Sequence, residues 1–361
     1  MKKISFIVVA LTMITSVASA QVNVKTEKGD LNLRLFGRTN FDAGSYIKTD
    51  DSAKSENGVM FNDTRLGVQA NYGKWSTKIE ICYTDKQIQF RDVYIGYDFN
   101  DSKSIQIGNI FMPYGAQCLG TQIKFVEDAS ADKTFCPSRK MGMAYFYNTD
   151  PLKLTAGIFS NGDINTKALN QGLALSAKAI WRPIINPTTV LHFGVAPMYV
   201  AKTAEPVTLT SVFPTTLETF KLLATEKAVF DNQSKYEAEL LFIHKRFYAE
   251  AHYLGTKINY SDNTDLSASA FYAQAAFLII GSQENYNKKT GLASLASAEN
   301  LEILARVSHS DFDTFGESTD YTLGLNYYFT KYLNLRLNYI HAAVKDADSY
   351  DMIQARMQFY F

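Results

Sequence analysis

Beyond its first twenty residues the chain has no apolar run that could cross a membrane as a helix. The longest stretch, Ala275 to Gly281, falls far short of the roughly 20 residues such a span needs. Proline is scarce, with 8 in 361 residues, and no Pro/Gly-rich segment or composition shift marks a boundary between domains. An excess of charge is missing too: basic and acidic residues number 36 each, and removing residues 1–20 takes away Lys2 and Lys3 but no acid, leaving a formal charge of −2. Nothing in that balance points to nucleic acid. With three cysteines and five histidines, in no metal-ligand spacing, no metal and no cofactor are expected. A G-x-S-x-G elbow and a phosphate-cradling glycine loop are both absent. Ser308-His309-Ser310-Asp311 places Ser, His and Asp side by side, but neighbours in one loop do not make a triad geometry, and a solvated loop is the simpler reading.

What the chain has is an address, many aromatics and a period. Lys2 and Lys3 precede an apolar run from Ile4 to Ile14, and Val17-Ala18-Ser19-Ala20 puts small residues where a signal peptidase reads them. Residues 1–20 are therefore expected to be a signal peptide cleaved after Ala20, leaving a single domain over 21–361. In an oxidising compartment Cys118 and Cys136, which share one long connector, are the expected disulfide pair, with Cys82 left on a strand.

The period is two. Leu31, Leu33 and Leu35 alternate with Asn32 and Arg34, and Leu66, Val68 and Ala70 oppose Arg65, Gln69 and Asn71. The same division recurs to the end of the chain, where Ile353, Ala355, Met357, Phe359 and Phe361 oppose Gln354, Arg356 and Gln358. Sixteen such strands can be counted. Connectors near Tyr72, Asn100, Asn148, Pro183, His244 and Thr330 are short. Those beginning near Lys48, Phe111, Asn161, Ala201, Thr256, Asp311 and Val344 alternate with them and are mostly longer. Ser282 to Glu299 is long on the short side. Short turns on one side and long loops on the other, with aromatics at strand ends, predict an all-β fold: a single 16-stranded antiparallel transmembrane β-barrel in an outer membrane. A soluble solenoid or a set of β-sandwiches would show boundaries that this chain lacks.

In lipid the apolar parity must face out, because a basic side chain at mid-bilayer costs roughly 2–4 kcal/mol. Arg34, Arg38, Arg65, Arg306, Arg336 and Arg356 then point inward, as do Asp42, Asp63, Glu80, Asp92, Glu250 and Glu302. These charges suit a water-filled path. The plainer account is that charges in such a wall have nowhere else to go.

Several stretches resemble the phosphate-selective porin O and P family. They are Phe271 to Leu278 followed by Gly281, Leu301 to Ser308 with its Glu302 and Arg306, Gly324-Leu325-Asn326-Tyr327-Tyr328, and Asn334 to Tyr339. Asp92 to Tyr97, Gly108 to Pro113 and Pro137 to Gly142 fall in the same order. The resemblance implies a 16-stranded, usually trimeric porin with lumen-folded loops, in which Phe111 to Arg139 and the odd connector Ser282 to Glu299 are constrictions. It also implies that the terminal Phe361 is read by the barrel assembly machinery. The family often has Lys at the position of Phe111, and Glu where this chain has Ser282. The expected function is passive diffusion of small hydrophilic or anionic solutes, with Arg34, Arg38, Arg65, Lys124, Arg306, Arg336, Arg356, Asp63, Glu80 and Glu302 lining the pore. The alternative from another class is a structural or adhesive barrel plugged by Phe111 to Arg139 and Ala201 to Ser234. An outer-membrane lipase or protease is weaker still.

Overall fold

The computed structural model describes residues 21–26, 29–49, 57–84, 87–116, 123–166, 171–202, 206–217 and 220–361. The expected signal peptide and Cys118 lie outside them. In chain order the strands are β1 (Gln21–Thr26), β2 (Gly29–Thr49), β3 (Asn57–Tyr72), β4 (Trp75–Thr84), β5 (Gln87–Asn100), β6 (Lys103–Phe111), β7 (Arg139–Asn148), β8 (Leu152–Ser160), β9 (Leu173–Ile185) and β10 (Thr189–Ala201). They continue as β11 (Thr210–Val212), β12 (Lys221–Ala224), β13 (Phe230–His244), β14 (Phe247–Tyr260), β15 (Asp265–Ile280), β16 (Asn285–Asn287), β17 (Leu292–Ser294), β18 (Asn300–Asp311), β19 (Glu317–Tyr328), β20 (Leu333–Val344) and β21 (Ser349–Tyr360). A short helix, α1 (Ser130–Phe135), lies in the connector after β6.

Sixteen of these strands form a closed antiparallel barrel, each paired to its neighbour in chain order, with β21 returning to β2. The seam runs from Arg38↔Tyr360 to Thr49↔Tyr350. It is finished by Gly37 and Phe361, whose backbones exchange N–H···O bonds of 3.1 and 3.0 Å. Gly37 has to be glycine there, since a Cβ would lie 2.8 Å from the Phe361 ring. Where β21 ends, β1 takes over the free edge of β2, from Gln21↔Arg34 to Thr26↔Gly29. Closure leaves no long strand edge in the membrane.

The two parities face two solvents. On β21, Ile353 is 50% and Phe359 46% exposed on the outside, while Gln354 and Gln358 are 2% and 0% exposed on the inside. An aromatic girdle runs along the short-turn end through Trp75, Tyr97 and Phe99, with ring centroids 4.8 and 5.2 Å apart. Tyr327–Phe329 and Phe359–Phe361 continue it at 4.7 and 6.3 Å.

Two connectors begin later than the sequence predicts. β9 runs past Pro183 to Ile185, because the ladder to β10 slips between Leu191 and Phe193 and Pro183 sits at that irregularity, where its missing N–H costs nothing. The turn follows at Asn186, whose Oδ1 accepts the N–H of Thr188 and of Thr189 at 3.0 and 2.9 Å. β14 likewise runs beyond Thr256 to Tyr260.

The packed interior is made by connectors folded inside the barrel. Met112, Tyr114, Ala116, Ala131 and Phe135 of the connector after β6 bury themselves against inward residues such as Ala144, Phe159 and Leu254. Phe213 and Leu222, from the connector that carries β11 and β12, pack on Tyr46, Tyr350 and Met352.

Candidate functional site in the barrel lumen

A backbone that crosses a lumen without regular structure leaves carbonyls that need donors. Four consecutive carbonyls of the 112–138 connector find them on four neighbouring strands. Asn326 of β19 donates to Lys124 O at 2.8 Å, and Arg336 of β20 to Phe125 O at 3.1 Å. Arg356 of β21 donates to Val126 O, and Arg306 of β18 to Glu127 O at 2.8 Å. Asn338 Oδ1 accepts the Val126 N–H at 2.8 Å. Arg306, Arg336 and Arg356 thus point inward but hold the connector, and all three are buried. Arg356 also forks onto Asp42 and reaches Glu127 Oε1 at 2.8 Å.

Lys124 fastens the same connector to a second one. Its ammonium pairs with Glu302 on β18 and, at 2.7 Å, with Glu284 in the 281–299 segment that folds in from the short-turn side. Burial pulls the Lys124 ammonium down, but Glu302 and Glu284 together outweigh it and hold it above the usual lysine range. Burial and the Glu302 charge push Glu284 up to about 7, against the pull of Lys124. In the 112–138 connector, burial and neighbouring acids push Asp128 up to about 7, and burial pushes Asp132 up to about 6.

The other leg of this connector rests on the opposite wall. Tyr114 donates to Tyr236 O at 2.8 Å, the Gly115 N–H to Glu237 at 2.7 Å, and Lys178 to Gly115 O at 2.7 Å. Gly115 has φ +73, and a Cβ there would collide with Cys136 Sγ. Cys136 carries a free thiol that donates to Asp132 Oδ1 at 2.8 Å; its expected partner, Cys118, is outside the described residues. Glu237, Glu239 and His252 bring three metal-type donor atoms within 4.8 Å of one another. Lys178 lies 3.3 and 2.7 Å from the two carboxylates and already supplies positive charge there.

Away from these connector contacts, space remains beside the wall formed by β2–β5. A cavity of about 440 Å³ lies against it, lined by Arg34, Arg38, Arg65, Lys78, Arg139, Lys331 and Glu80, with Phe36, Tyr332, Tyr360 and Phe361 among the other lining residues. Four of these cations alternate with three acids in one chain of ion pairs. Arg38 and Arg65 share Asp63, Arg65 and Lys78 share Glu80 at 3.0 and 2.9 Å, and Lys78 and Arg139 share Asp92. Arg34 and Lys331 have no carboxylate partner among the described residues.

The expected residues therefore gather in two places. Arg34, Arg38, Arg65 and Glu80 line this cavity, with Asp63 paired to Arg38 and Arg65, and Lys124, Arg306, Arg336, Arg356 and Glu302 meet around the connector. Arg139 and Lys331 escaped the sequence reading, and Lys78, placed on the polar face, was not among the expected lining residues. Lys78 shares the parity of Glu80, which was the available signal; Arg139 and Lys331 sit where strands meet connectors, and no period marks them.

The family model described as phosphate-selective porin O and P matches residues 34–361. The chain belongs to that family. It is an outer-membrane porin, a diffusion channel. Solved structures agree on the porin's fold. OmpT of Vibrio cholerae superposes with a TM-score of 0.62 at 13% identity, covering 94% of this chain and 100% of that one. The anion-selective porin from Comamonas acidovorans gives 0.60 at 13% identity, covering 92% and 100%. The outer membrane channel DcaP of Acinetobacter baumannii gives 0.60 at 13%, covering 94% and 100%. Comparison with curated proteins found no match.

Proposed function

We propose that small hydrophilic solutes cross this porin along the β2–β5 wall, and that the path prefers anions. The observation that carries the reading is the composition of the cavity: six cations line it against one carboxylate, Glu80. A narrow, low-dielectric passage with an excess of one sign concentrates ions of the other. The expected ions are small and singly or doubly charged. Asp63, Glu80 and Asp92 already neutralise part of the ladder, so passage is through-flow without tight capture. That the Comamonas acidovorans neighbour is described as anion-selective agrees with this.

In the same reading residues 1–20 are removed at export, Phe361 is the element met by the barrel assembly machinery, and the working unit is a homotrimer. A trimer form of the Vibrio cholerae OmpT neighbour supports the last point. Reversal potentials in a KCl gradient across a planar bilayer test the anion preference. The plugged, structural barrel is tested alongside, since it predicts no stepwise conductance at any voltage.

A further inference from the structure

The ladder between β2 and β3 slips once, between Arg38 and Asn40, so that Asp63 and Thr64 together face Thr39. Asp63 sits in this bulge with φ +54, in the left-handed region that aspartate and asparagine enter more readily than other side chains. Its carboxylate lies between two guanidinium groups: Arg38 Nη2 meets Oδ2, and Arg65 Nε meets Oδ1 at 2.6 Å. The Cys82 thiol also donates to Oδ1, at 3.0 Å. Arg38 is 7% exposed, and its Nε is buried with no hydrogen-bond partner among the described residues. Arg34, Arg38 and Arg65 all line the same cavity.

Two forked guanidinium groups with a third close by make a seat for an oxyanion, because their N–H groups match the spacing of carboxylate and phosphate oxygens. Here the seat is filled by a side chain of the wall itself. We propose that Asp63 is a tethered occupant of an oxyanion-binding seat, a specificity residue that keeps carboxylates and phosphates from lodging at Arg38 and Arg65 as they pass. The inference rests on the anion path proposed above. An ion pair that served only to stabilise the wall would have no need of the bulge, or of a donor left open on Arg38.

Single-channel recording of Asp63→Asn tests it, since Asn tolerates positive φ and keeps the shape of the side chain. Asp63→Gly, which relaxes the bulge, is the second variant. The probe is inorganic phosphate added to a KCl bath. With the seat vacated, phosphate should half-block the chloride current at a concentration about tenfold or more lower than in the wild type. Arg38→Gln combined with Asp63→Asn, which dismantles the seat and restores the wild-type net charge, should return the block to the wild-type level. An anion-preferring wild type whose phosphate sensitivity is unchanged in both single variants overturns the seat and leaves the path standing. A cation-preferring wild type whose variants still gain the block overturns the path and leaves the seat standing.

Discussion

Where the barrel closes, the guanidinium of Arg356 on the last strand forks onto the carboxylate of Asp42 on the first barrel strand, with Nε to Oδ1 and Nη2 to Oδ2 both at 2.7 Å. Both side chains are almost fully buried. Removing one partner of such a pair leaves a charge in the interior, and the cost is about 3–5 kcal/mol. Arg356→Met should therefore lower stability by about that much, read as a shift of the urea unfolding midpoint in lipid vesicles. Adding Asp42→Asn should recover most of the loss. A single variant as stable as the wild type would show that the seam is held by its ladder alone.

The four donors on the 124–127 carbonyls predict a change in flow. Arg336→Gln removes the contact to Phe125 O while leaving a polar side chain in the wall. The connector should then move more freely, and the open-channel current should become noisier and larger on average. Leu337→Ala on the lipid face is the control and should leave the current unchanged, as Leu337 points away from the lumen.

The bond between the two inward connectors depends on pH. Glu284 is raised from 4.5 to about 7, so the stability it lends is fully present below its ordinary value and is lost as pH rises through about 7. Asp128 and Asp132 are raised to about 7 and about 6 and act in the same direction. Glu127 is lowered, chiefly by Lys133 and Arg356 against its burial, so its contribution is present above its ordinary value and fades in acid. Docking should be firmest near about pH 4–4.5, where Glu127 still holds its charge and the raised groups are close to their ordinary values, and should loosen steadily to about pH 8. Current fluctuations should grow over that interval in the wild type, and Glu284→Gln should remove part of the rise. Fluctuations that fall with rising pH would reverse the assignment.

The barrel was legible in the sequence because each strand divides its residues between lipid and water, a constraint that leaves a period of two. The errors fall where pairing, not face, decides. β1 is held by the edge of β2 below the C-terminus, and β9 continues past Pro183 through an irregularity that only its neighbour reveals. The lumen was legible by direction alone. Parity turns Arg306, Arg336 and Arg356 inward, but their partners are carbonyls in a connector with no period, so nothing local marks what they hold. Asp63 carries a bulge that the polar spacing of Asn62, Asp63 and Arg65 does not betray.

The path along β2–β5 rests on its excess of positive charge, and the reversal potential of the wild type against a Lys78→Gln/Arg139→Gln variant measures that most directly. Both residues line the cavity and share Asp92. In a KCl gradient the wild type should reverse toward the chloride potential, and the variant should shift toward that of potassium. A wild type that reverses at the potassium potential, or a variant that reverses where the wild type does, would contradict the account.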